Sequence, residues 1–392
     1  MFLTTASSTA ARAAGGRTWL PLLINGGTAA RQQFFSTSQS RQAKNIITFR
    51  PSSTPELSSL LEEFRYKVIL PTYLSPDQRR RIYNPRAKQY LVNDPVTIEI
   101  DGVVHKFRYI NQVTDIPSTR KVLQTAIKSM QTPDDFRNIR PLLEGCVRAN
   151  RKLPPTIFPL IVRKAAQSGN LEVVFECIQN AEDTDFYLNR SELINSLLAW
   201  IQWPAIRRGF KAGDTKTALR RVNHIIETLE GYQDVHEPLE ETRCAFPFHR
   251  DPQILAARLH MAAALAVHHR GGKDDENGSV GKYAADLVSV WPEDKGLLDL
   301  QPDEAYLNPD KMAYMLNRSM YLFIGAPVLN GLTLATQVVD PALAMQLQNR
   351  ADKVEEEVKA ALNSPELKKG GLGEQMYNAL YNREAGEWED EE

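Results

Sequence analysis

Residues able to do covalent or metal chemistry are few and poorly grouped. Seven histidines run from His105 to His269, and none lies in an HExxH or HxxE arrangement. His260 and His268, eight apart, can share a helix face. No carboxylate stands between them on that face, so the spacing gives no metal site. Cys146, Cys177 and Cys244 are far apart and form no CxxC, which excludes a zinc knuckle or a disulfide framework. They read as small apolar core residues. The segment NGSVGKYA has the ending of a phosphate loop. Glu276 stands where its first glycine belongs, and Tyr283 stands where a magnesium-holding Ser or Thr belongs. No GxSxG, GxGxxG or kinase signature is present. The residues therefore predict no enzyme, no cofactor, no metal and no small-molecule substrate.

The chemistry that remains is electrostatic. The stretch SPDQRRRIYNPRAK carries Arg79, Arg80, Arg81, Arg86 and Lys88, with Tyr73, Tyr83 and Tyr90 interleaved. Guanidinium and ammonium groups neutralise phosphates, and tyrosine rings stack on unpaired bases. Arg79, Arg80, Arg81, Tyr83, Arg86 and Lys88 are thus candidate RNA-binding residues. The competing reading is a solvated helix face whose charge answers an acidic neighbour. A formal net charge of -1 supplies no global field, so any nucleic-acid contact must be local. Arg220 and Arg221, in LRRVNHI, are expected on the solvent side of a packed helix.

The chain begins with 55 residues that contain no Asp or Glu but include Arg12, Arg17, Arg31, Arg41, Lys44 and Arg50 among Ala, Ser and Thr. Such composition marks a mitochondrial transit peptide, assigned to residues 1–35, and a matrix location. Without Arg12, Arg17 and Arg31 the count is 44 basic against 48 acidic residues. No uninterrupted 18-residue apolar run exists, so no membrane span is expected.

Elements that would position the basic patch follow from periodicity. A basic extended leader, 36–117, holds one short helix over 56–70, with Leu57, Leu60, Leu61, Phe64 and Val68 on one face and Pro71 as its stop. Val96, Ile98 and Ile100 alternate with Thr97 and Glu99, then Asp101-Gly102 turns the chain into Val103. This is a strong β-hairpin signal. From 118 onward everything reads helical. A helical-hairpin region covers 118–231, a C-terminal helical region 232–368, and a short helix with an acidic tail 369–392. Helices are expected at 118–130, from Thr132 through Val147, from Pro154 through Ala165, after Gly169, from Ser191 past Pro204, from Asp214, and at 279–291, 309–324 and 340–363. The last places Leu343, Leu347, Val354, Val358 and Leu362 inward, with DKVEEEVK outside. The tail from Glu384 has six acids and no base.

AQSGNLEVVFECI, 166–178, can be laid on FKAGDTKTALRRV, 210–222, which pairs Gly169 with Gly213 at a spacing of 44. Helix pairs of this kind bury their apolar faces only by stacking. IFPLIVRKAAQSGNLEVVFECIQNA resembles a pentatricopeptide-type helical hairpin, and KAGDTKTALRRV is similar. The spacing, Pro204 and the insertions depart from that pattern and from any regular base-reading array. The whole plan resembles the larger mitochondrion-specific ribosomal proteins, fungal ones in particular. This resemblance implies a structural subunit of the mitochondrial ribosome. It would touch rRNA through the basic leader and neighbouring proteins through helical faces. The alternatives are a pentatricopeptide-type RNA-binding or translation factor and a protein-only scaffold for a respiratory complex. The expected fold is mainly α: an irregular stack of helical hairpins with a small N-terminal β-hairpin.

Overall fold

Among the described residues the first helices are short and follow the segment 46–54. The computed structural model describes residues 46–100, 102–232 and 244–382. The proposed transit peptide, 1–35, and the acidic tail from Glu384 lie outside them. Helix α1, Pro55–Phe64, starts on Thr54, whose hydroxyl accepts from the Leu57 amide. It does not run on to residue 70 as one α-helix. A π-turn at Arg65–Ile69 and a 3-10 turn at Leu70–Tyr73 follow, because the apolar residues Val68, Ile69 and Leu70 all turn inward. Helices α2, Pro76–Tyr83, and α3, Lys88–Asn93, lead into β1, Val96–Ile100, and β2, Val103–Phe107. The strands are antiparallel, with Ile100 opposite Val103 and Val96 opposite Phe107. That register leaves a two-residue loop in which Gly102 has φ of +78°. Glycine reaches this region without a Cβ penalty.

The helical body begins with α4, Thr119–Ser129, and α5, Pro133–Phe136. Thr132 and Asp135 cap α5 reciprocally. The single helix expected over 132–147 is broken at Arg137–Asn138, and α6, Ile139–Arg148, follows. The break has a physical reason. Asn138 is fully buried and its amide clasps the Arg50 backbone, accepting from the nitrogen at 2.7 Å and donating to the carbonyl at 3.2 Å. Asp135 is also fully buried. It accepts from the Ser53 amide at 2.8 Å, the Ser53 hydroxyl at 2.6 Å and the Gln131 and Thr132 amides at 3.0 and 2.9 Å. Burial alone would raise its pKa, but these donors outweigh it and hold the carboxyl well below its ordinary value. Two polar residues thus fasten the extended segment 46–53 to the body.

Helices α7, Ile157–Gln167, α8, Glu172–Gln179, and α9, Ala181–Thr184, precede the long pair α10, Ser191–Arg207, and α11, Ala212–Tyr232. Three helices end the same way. After α7, Gly169 has φ of +71°, its amide reaches Ala166 O and the Asn170 amide reaches Ala165 O. After α10, Gly209 has φ of +68°, with amides 209 and 210 bonded to Ile206 and Ala205. After α6, Asn150 and Arg151 repeat the pattern onto Val147 and Cys146. This is the Schellman closure, which needs a left-handed residue just past the helix. The partner of Gly169 is therefore Gly209. Gly213, which the sequence pairing chose, sits inside the first turn of α11 and makes no such turn. The hairpin likeness stands and its alignment shifts by four residues.

The C-terminal half consists of α12, Pro252–His269, α13, Ser279–Val290, α14, Asp303–Leu307, α15, Arg318–Thr336, α16, Pro341–Leu362, and α17, Leu372–Tyr381. The helix expected over 309–324 is displaced. Residues 313–316 form a 3-10 turn, Asn317 caps α15, and the helix continues through Pro327 and Gly331 because its sides are covered by α12, α16 and α17. Helix α15 is long and apolar enough to cross a membrane, but 72% of that window is buried inside the fold. A Cβ on Gly331 would lie 2.9 Å from His260 Cα, so the glycine lets α15 approach α12 backbone to backbone.

One apolar cluster runs from Ile47 to Met376. A second, smaller one holds Leu70, Leu74, Ile82, Leu91, Val96, Ile100, Phe107 and Ile110. Among the described residues the architecture is mainly helical with one two-stranded sheet, as the sequence predicts.

Candidate nucleic-acid interface

The smaller cluster carries the basic patch. Helix α2 starts at Ser75, whose hydroxyl accepts from the Gln78 backbone amide at 3.3 Å while the Gln78 side-chain Oε1 accepts from the Ser75 backbone amide at 3.0 Å. Pro76 fits the first turn, and Asp77 faces the positive helix end. Ile82 is fully buried, and its carbonyl accepts from the Ile110 amide at 2.9 Å. Helix, hairpin and following loop are thereby one frame. Asn84 then accepts from the Arg86 amide at 3.0 Å, making the tight turn into α3.

This frame sorts the six predicted residues into two groups. Arg79 spends its guanidinium on the chain itself, donating to Pro71 O at 3.1 Å, Thr72 O at 2.8 Å and Leu74 O at 3.4 Å. It closes the 3-10 turn before α2. Arg81 pairs with Asp94 at 3.1 Å and lies 4.5 Å over the Tyr90 ring. Hydrogen bonds from Tyr90 and Arg81 lower the Asp94 pKa. Tyr83 is half-buried against the small cluster, and burial raises its hydroxyl pKa against the charges of Arg151 and Arg79. These three hold the frame. Arg80 is 85% exposed and, among the described residues, its ion-pair partner is the open Asp77 at 3.8 Å. The Arg86 guanidinium has no hydrogen-bond or ion-pair partner among the described residues. Lys88 is exposed and lies 5.8 Å from the Tyr109 ring. These three are presented to solvent.

Sequence reasoning missed the contribution of α6. Arg148 lies 5.1 Å over the Tyr73 ring, and the charge of Arg151 reaches Tyr83. Both flank Asn150, whose left-handed turn brings RANRK against the leader. The signal was there: three cations, Arg148, Arg151 and Lys152, around an asparagine suited to close a helix, are visible as VRANRK.

The remaining candidates are structural. His260 is fully buried between Gln202 Oε1 at 2.7 Å and Asn330 Oδ1 at 3.0 Å, and burial pushes its pKa down to about 3. His260 and His268 do share a face, and that face meets Phe210, edge-on at 5.5 Å and stacked at 5.0 Å. Among the described residues no group of three or more His, Cys, Asp or Glu could hold a metal. The helix start that resembled a phosphate loop is filled by its own carboxylates. Asp274 accepts from the amides of Val280 and Gly281, and Asp275 from those of Asn277 and Ser279. Cys146 and Cys177 are fully buried, and burial pushes both thiols up to about 12.

Comparison with known proteins decides the lineage. The family described as mitochondrial ribosomal protein mS27 matches residues 33–381. This chain belongs to the mS27 family. The small ribosomal subunit protein mS27 of Neurospora crassa is 38% identical over 369 residues, covering 90% of this chain and 93% of that protein. The match includes the leader, both apolar clusters and every helix from α1 to α17. Members of one family at this identity share a fold, so the mS27 likeness applies to the basic frame and the helical body together.

Proposed function

We propose that the chain is a structural component of the small subunit of the mitochondrial ribosome, working in the matrix without catalysis. The observation that carries this reading is family membership over nearly the whole length, with a relative named as a small-subunit ribosomal protein. The geometry fits it. Arg80, Arg86 and Lys88 stand out from a rigid frame and suit phosphates of rRNA, while Arg79, Arg81 and Tyr83 keep the frame in shape. Arg148 and Arg151 widen the positive surface from the body side. The helical faces supply contacts to neighbouring ribosomal proteins. A free transcript factor or a respiratory-complex scaffold has no comparable support, because the likeness across the chain is to a ribosomal protein. The test is a density gradient of mitochondrial lysate with mass spectrometry of each fraction. The chain is expected in the small-subunit and whole-ribosome peaks at moderate salt. A predominantly free pool, or migration with a respiratory complex, refutes the reading.

A further inference from the structure

A groove of about 700 Å³ opens between α8, α11 and the end of α12. Its apolar part is the buried Phe175 and Leu265 with the half-buried Leu219. Exposed Lys216 and Arg220, one turn apart on α11, form its rim. The lining carries four cations against two carboxylates, Glu172 and Glu227. Arg221 is spent on Glu172, and Arg270 stands 3.7 Å from Asp275. Lys216 and Arg220 have no ion pair among the described residues. Asn223 adds a second, independent sign of a ligand. Its Oδ1 is buried in the lining and has no hydrogen-bond partner among the described residues. An acceptor left in that state costs about 1–3 kcal/mol until a donor arrives.

These features select among occupants. A single strand that seats its bases in this groove would need an open aromatic plane. Phe175 is 7% exposed, with the Arg221 guanidinium 5.7 Å over its ring and His224 6.1 Å away. A phosphodiester brings no donor for Asn223, and an RNA backbone, whose 2′-hydroxyl does, brings no aliphatic group for Leu219 and Leu265. An extended peptide brings all three complements: backbone N–H for Asn223, an aliphatic side chain for Leu219 and Leu265, and carboxylates for Lys216 and Arg220. We propose that this groove docks an acidic, extended segment of a neighbouring protein in the assembled particle. The proposal rests on the reading of the chain as a ribosomal component.

The experiment places a photo-reactive p-benzoylphenylalanine at Gln179, an exposed residue of the lining, in the chain expressed in mitochondria. Small subunits are isolated, irradiated and the adduct sequenced. The expected adduct is a protein segment with two or more Asp or Glu beside an aliphatic residue. Its yield should fall at least fivefold when Lys216→Glu and Arg220→Glu are added. Both rim residues are exposed, so the double variant should fold, which an unchanged unfolding midpoint checks. An adduct on rRNA, an adduct on a segment without carboxylates, no adduct, or a yield indifferent to the charge reversal overturns the proposal. Co-sedimentation is read in the same preparations. Co-sedimentation without the adduct sinks only the groove; failure to co-sediment sinks the underlying reading as well.

Discussion

The leader frame and the helical body treat charge in opposite ways. In the body, two charges that periodicity would leave outside, Arg350 and Glu357, turn inward and are satisfied. Arg350 is 4% exposed on α16, where it donates to Trp291 O and, at 2.6 Å, to Gln346 O. Glu357, from the run expected to face solvent, accepts from the Leu297 and Leu298 amides at 2.9 and 3.0 Å and from the Tyr321 hydroxyl at 2.6 Å. Burial raises its pKa. In the frame, a core of only a few side chains holds Arg80, Arg86 and Lys88 outward with little to neutralise them. At these body positions polar chemistry is spent on packing, unlike at the α11 rim of Lys216 and Arg220. In the frame, half of it stays exposed to solvent.

The comparison can be broken first in the body. Phe323→Ala should cost about 3–5 kcal/mol, because the ring is 1% exposed and packs on Trp200 at 5.0 Å. Chemical denaturation measures this loss. In the frame, Ile82→Ala should cost about 2–4 kcal/mol, felt mainly by its own cluster. Hydrogen exchange should then rise across 76–110 while α12 and α15 keep their protection. Equal loosening of both regions would show one cooperative unit and erase the contrast.

Asp135→Asn sharpens the link between the regions. The variant loses charge-assisted hydrogen bonds to the segment 46–53 and should be destabilised by about 2–3 kcal/mol. The Asp135 carboxyl titrates below its ordinary value in the folded chain, so its stabilisation is present above about pH 4 and is lost as pH falls. His260 acts earlier in the same direction. It stays neutral when folded down to about pH 3, whereas the unfolded chain takes up a proton near 6.5, so stability falls as pH drops below about 6.5. A denaturation series from pH 8 to 4 should show the His260 contribution first, and His260→Gln should flatten that part of the curve.

Much of the architecture was legible because it rests on local signals. The β-hairpin follows from alternation around Asp101-Gly102, and α16 from Asp340 and its apolar spacing. What escaped depends on contacts across the chain. The Thr132–Val147 helix breaks because Asn138 is needed at Arg50, 88 residues away. Gly209 closes α10 although Gly213 looked the better match, since the turn geometry is set by Ile206 and Ala205. In the basic patch, residue type alone could not separate Arg79, which reaches three carbonyls, from Arg80, which reaches almost nothing. Charge was readable from sequence; its availability was not.

The smallest effect on folding should accompany the largest effect on assembly. Arg80→Gln, Arg86→Gln and Lys88→Gln together should change the unfolding free energy by no more than about 0.5 kcal/mol, as exposed substitutions do. The direct test is a salt titration of small subunits carrying this triple variant beside unaltered ones, with the chain's co-sedimentation read at each step. The account predicts release of the variant at distinctly lower salt, with a shallower salt dependence for each lost phosphate contact. Identical retention of the two chains at every salt concentration would contradict it.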